Sequence, residues 1–87
     1  LGALTVLPGL IDTHVHLGWY ITSRGKLHQE RDGDSPAVSA TSQAGNAWAT
    51  LQAGFTTVQS IGEAENGALR DAIDRGLVPG PRVLTSL

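Results

Sequence analysis

The sequence predicts an α/β fold in which three parallel strands alternate with two helices in the order β-α-β-α-β. Three observations lead there. An apolar run follows the turn at Pro8-Gly9 and closes in Asp12-Thr13-His14-Val15-His16. Two stretches with apolar residues at helical spacing follow, each ended by a glycine. A β-branched run lies between those stretches, and a last short run follows the rigid turn Pro79-Gly80-Pro81. Strands connected through helices pair in parallel, with right-handed crossovers.

Residues 9–16 form the first strand. Alternation puts Ile11 and Val15 on one face, and Leu10, Asp12, His14 and His16 on the other. Residues 17–34 make a long polar connection. Trp19 and Tyr20 near its start are candidates to line a substrate pocket, against the simpler reading that they pack the connection onto the scaffold. His28 reads as a solvated loop histidine, because nothing fixes its spacing from His16. Ser35-Pro36 opens a helix as N-cap and first helical residue. Ala37, Ala40, Ala44, Ala47, Trp48 and Leu51 then make a core-facing stripe with Trp48 as its largest anchor, and Gly54 ends the helix. Phe55–Ile61 is the second strand. With Val58 toward the helices, Thr57 and Gln59 face the other side, where Gln59 either touches substrate or makes a structural hydrogen bond. Residues 68–75 form a short helix with Leu69, Ala72 and Ile73 inward and Gly76 as its stop. Residues 82–86 make the third strand.

Composition excludes several function classes. The chain has 87 residues, a formal charge of −2 and no cysteine. There is room for one small domain at most. There is no basic patch for nucleic acid, and no disulfide, thiolate metal site or cysteine nucleophile. No apolar stretch approaches the roughly 20 residues that span a membrane. The first residues lack the basic segment of an intact signal peptide. A cytoplasmic location is favoured, with a cleaved upstream signal left open.

The chemistry lies at the end of the first strand. Residues two apart on a strand have Cα atoms about 6.5–7 Å apart on one face. His14 and His16 can therefore lean together and each offer a nitrogen to one metal at about 2.0–2.1 Å. Asp12 shares their face. A His-x-His pair in an arbitrary protein is more often a surface or hydrogen-bonded feature. Two imidazoles and an acid closing an apolar strand are a costly way to build an inert core, which brings the metal reading level with it.

This stretch resembles the first strand of the amidohydrolase superfamily, whose members carry Pro-Gly-x-Ile-Asp-x-His-x-His. Ala53-Gly54-Phe55-Thr56-Thr57-Val58, Leu69–Gly76 and Pro79-Gly80-Pro81-Arg82-Val83-Leu84 are similar to the branch of imidazolonepropionase-like enzymes and Xaa-Pro or Xaa-Arg dipeptidases. The resemblance implies a partial (β/α)8 TIM-type barrel over residues 9–87. Residues 1–8 are then a lead-in from a β-sandwich, and a start at Leu1 fits a fragment. It implies a divalent metal cofactor, zinc, as one or two ions, with His14 and His16 as ligands. Asp12 is the carboxylate that orients an imidazole or its neighbours. No residue here is the acid-base group, so no catalytic residue is named. Gln59-Ser60 departs from the Arg-Asp that relatives often carry, which puts in doubt any contact made there.

The expected function is metal-assisted hydrolysis of an amide or dipeptide C–N bond, inactive without the remainder of the barrel. The alternatives are a small non-catalytic α/β binding or assembly module, and a cyclic-amide hydrolase or deaminase of the same superfamily. An unpaired strand edge predicts instability or self-association, including a homo-oligomer, for the chain alone.

Overall fold

The computed structural model describes residues 2–29 and 32–86. Glu30 and Arg31 of the polar connection, and Leu1 of the lead-in, lie outside the described residues. Among the described residues three strands, β1 (Leu10–Val15), β2 (Phe55–Ser60) and β3 (Arg82–Thr85), alternate with two helices, α1 (Pro36–Gln52) and α2 (Asn66–Asp74). The strands form one parallel sheet in the order β1-β2-β3. This is the α/β arrangement expected for part of a (β/α)8 barrel. No helix among the described residues is long and apolar enough to cross a membrane.

Local chemistry explains the element ends. Ser35 Oγ accepts from the Val38 backbone N–H at 3.3 Å, and Pro36 begins α1 where its missing N–H costs nothing. Beyond the C-cap Ala53, Gly54 takes a φ of +98°, a left-handed conformation that stops the helix before β2.

The core is Leu17, Ala47, Val58, Leu69 and Val83, with Val15, Ala44, Phe55, Ile73 and Val78 packed around it. Val58 faces the helices as expected and is fully buried. Trp48 does not anchor this core, because it is 47% exposed. Gln43 and Ala47 are the buried residues of α1. The small Ala47 brings the helix close to β2, and the bulky indole one position on is turned about 100° away to the rim.

Two further corrections concern β1 and its connection. Ile11, which alternation puts on one face with Val15, is 66% exposed while Val15 is half-buried. The helices lie over β2 and β3, and pairing with β2 slips between Leu10 and Ile11 and again between Asp12 and Val15. These slips break the simple alternation of faces. Residues 17–29 are not structureless. Ile21 and Leu27 form an antiparallel bridge, and Thr22 and Tyr20 exchange backbone hydrogen bonds with Lys26 and His28.

Candidate metal centre

β1 and the residue just after it bring His14 and His16 to the carboxyl end of the sheet with their rings edge to face. The ring centroids are 5.2 Å apart and the planes cross at 71°. His14 is exposed and His16 half-buried.

His16 is held from several sides. Its Nδ1 lies 2.9 Å from the carbonyl oxygen of Ile61, just past β2. A carbonyl only accepts, so Nδ1 donates, and in the neutral ring Nε2 is left with the lone pair. The Trp19 ring stacks on the imidazole at 4.1 Å and 8°. The next residue, Leu17, is sunk in the core. Its N–H donates to Ser60 Oγ at 3.2 Å, while Asn46 Nδ2 donates to the carbonyls of Leu17 and Trp19 at 2.7 and 2.8 Å. α1 and β2 together therefore fix the chain where β1 ends.

Asp12 Oδ1 accepts from the backbone N–H of His14 at 3.0 Å. It braces the backbone at His14 rather than an imidazole ring. Glu63 approaches His16 instead, with Oε1 3.4 Å from Nδ1. Sequence reasoning missed Glu63, which sits three residues beyond β2 with no motif to mark it. Ser60, its neighbour here, occupies the position already noted as a departure from relatives.

Two imidazoles fit half of a zinc site, which normally has three or four protein ligands. Among the described residues no group of three or more His, Cys, Asp or Glu side chains converges to hold a metal ion.

The other sequence candidates are dispersed. Tyr20 stacks on His28 with centroids 4.5 Å apart, and its hydroxyl donates to Asp34 Oδ2. His28 Nδ1 lies 3.2 Å from that same oxygen without hydrogen-bond alignment. His28 is therefore packed against Tyr20, with a side chain 18% exposed, and is not the solvated loop histidine expected. The aromatic face and the two acids beneath it draw the ring in. Withdrawal from water, the hydrogen bond to Asp34 and the charges of Asp34 and Asp32 push the Tyr20 hydroxyl up to about 12. Tyr20 lines a cavity of about 780 Å³ with Ile21, Arg24, Lys26 and Asp32, but neither His14 nor His16 borders it. Trp19 covers His16 rather than this cavity. Gln59 is half-buried on β2, opposite Leu84 of β3.

The fold and the strand-end histidines describe an amidohydrolase barrel in its first elements. The chain matches the model of the amidohydrolase family over residues 5–86, and it belongs to that family. It is similar to a crystal structure of a Xaa-Pro dipeptidase with methionine bound in the active site, at 33% identity and a TM-score of 0.74 over 90% of this chain. Ochratoxinase from A. niger is similar at 29% identity and a TM-score of 0.67, over 91% of this chain. A further amidohydrolase crystal structure gives 32% identity and a TM-score of 0.71, also over 91% of this chain. The match covers 19%, 18% and 18% of those three chains respectively, so this chain spans under a fifth of their length. No curated protein sequence matches.

Proposed function

We propose that this chain contributes the first two metal ligands, His14 and His16, to a divalent-metal amidohydrolase that cuts a C–N bond in a small amide or dipeptide. The observation that carries the reading is the converging histidine pair in a chain of this family, with the His16 proton committed to the Ile61 carbonyl. The Xaa-Pro dipeptidase among the similar structures supports a dipeptide-like substrate.

The chain's own residues bind and orient. His14 and His16 offer imidazoles, and the Ile61 carbonyl accepts from His16 Nδ1, which leaves Nε2 of the neutral ring as the donor. Trp19 restrains the His16 ring and covers one of its faces. Asp12 holds the backbone N–H of His14. A bound divalent ion, zinc in this reading, lowers the pKa of water toward about 7 and polarises the scissile carbonyl. The proton-transferring carboxylate is not assigned to any residue of this chain. On this reading residues 1–8 lead in from a preceding β-sandwich, the rest of a barrel completes the site, and the 87 residues alone turn over no substrate.

Calorimetric titration of the 87-residue chain with zinc tests the ligand assignment. Weak, saturable binding is expected, lost in either His14→Ala or His16→Ala. Binding that is absent from the unaltered chain, or that survives both substitutions, overturns it.

A further inference from the structure

We propose that Glu63 is a carboxylate that positions His16, reinforcing from beside the Nδ1–H the orientation that the Ile61 carbonyl gives the ring, so that Nε2 is presented to a metal. The inference rests on the ligand role proposed above for His16.

Glu63 is three residues beyond β2, yet its side chain is only 15% exposed. Carboxylates are rarely withdrawn from water unless their oxygens find partners. Here both do. Oε1 stands 3.4 Å from His16 Nδ1, a charge contact beside the N–H that the Ile61 carbonyl accepts at 2.9 Å. Oε2 accepts from Asn66 Nδ2 at 2.9 Å and from Ser60 Oγ at 3.4 Å. Proton accounting fixes the direction of these bonds. Ser60 Oγ already accepts from the Leu17 N–H at 3.2 Å and from Asn66 Nδ2 at 2.9 Å. Its single hydrogen is thus left to point at Glu63. A circuit results, from the Leu17 backbone through Ser60 to Glu63 and back to the ring of His16, the residue just before Leu17. The backbone and the side chain of one strand end are tied to the same carboxylate.

Shape agrees with this chemistry. A Cβ on Gly18 would lie 2.6 Å from Glu63 Cγ, so the chain after His16 passes Glu63 at a distance only glycine permits. A carboxylate beside the N–H of a ligating imidazole fixes ring orientation and makes the opposite nitrogen a better donor. Asp12, the acid on the histidine face in the sequence, is engaged at the His14 backbone instead.

The test compares the unaltered chain with Glu63→Gln, Glu63→Ala and Glu65→Gln. Glu65 is a matched charge control, since its carboxylate accepts from Gln43 Nε2 at 3.4 Å. Zinc alone is the calorimetric probe. In parallel, long-range nitrogen-15 spectra of labelled histidine, without metal and at a pH where the ring is neutral, read the His16 tautomer. Zinc affinity is expected to fall about 10–100-fold in Glu63→Ala, the usual effect of removing a partner of a metal-bound histidine. Glu63→Gln, which keeps the size but only one oxygen, is expected to fall in between, and Glu65→Gln to match the unaltered chain. The Nδ1–H fraction of His16 falls in Glu63→Ala. Equal losses in Glu63→Gln and Glu65→Gln would reduce the effect to general charge and overturn the proposal. So would an unchanged tautomer in Glu63→Ala. Absence of zinc binding in the unaltered chain would defeat the ligand reading, while the metal-free spectra would still decide the Glu63 contact.

Discussion

Tyr20 is the chain's single tyrosine, and its environment gives a clean pH signature. Its hydroxyl is pushed from 10.0 up to about 12 by withdrawal from water and by the hydrogen bond and charge of Asp34, with Asp32 adding to it. Above pH 10.0 the unfolded chain ionises first and binds fewer protons than the folded chain. The stabilising contribution is therefore complete below that pH and is lost as pH rises toward about 12. Asp34→Asn should bring the midpoint of phenolate absorbance down toward 10.0, and an unmoved midpoint would contradict the assigned cause. Residues of this kind also mark the limit of sequence reading. The His14–His16 pair was legible because residues two apart in extended chain lie close on one side, and the two rings do meet, 5.2 Å apart. His28 was not, because its partners Tyr20, Asp32 and Asp34 meet it only when the connection folds back on itself.

At the scale of elements, the punctuation was legible and the faces less so. Ser35, Pro36 and Gly54 bound α1, and Gly76 with its φ of +71° follows α2, because caps and stops act within a few residues. Trp48 was misplaced because the apolar stripe is broad enough to accept several rotations. The sheet chose the one that buries Gln43 and Ala47. The register slips of β1 depend on its partner strand and leave no local mark. Just past β1, Gly18 runs close against the Glu63 side chain. Gly18→Ala forces a Cβ against Glu63 Cγ and should cost about 1–3 kcal/mol of stability, as overpacking typically does. Denaturant unfolding measures it, and a variant as stable as the unaltered chain would contradict the close packing.

For the whole molecule, the β-α-β-α-β order follows from alternating local signals, and the structure reproduces it as one parallel sheet. Packing is uneven around that sheet. Val58, Val83 and Leu69 are buried where α1 and α2 cover it, whereas Leu4, Val6, Leu7, Ile11 and Leu84 are all more than half exposed. The site is equally one-sided. β1 and the residue just after it supply two imidazoles, and the supports around His16 come from Trp19, Asn46 on α1, Ser60 at the end of β2, and Ile61 and Glu63 beyond it. Those supports had no sequence signature, since they converge from positions up to 47 residues away with no fixed spacing.

The central claim is that His14 and His16 act together as metal ligands. Nitrogen-15 spectra of histidine-labelled chain during zinc addition test it most directly, because His28 provides an internal control. Ring resonances of His14 and His16 should move together while those of His28 stay in place. An equal response from all three rings, or none from the β1 pair, would contradict it.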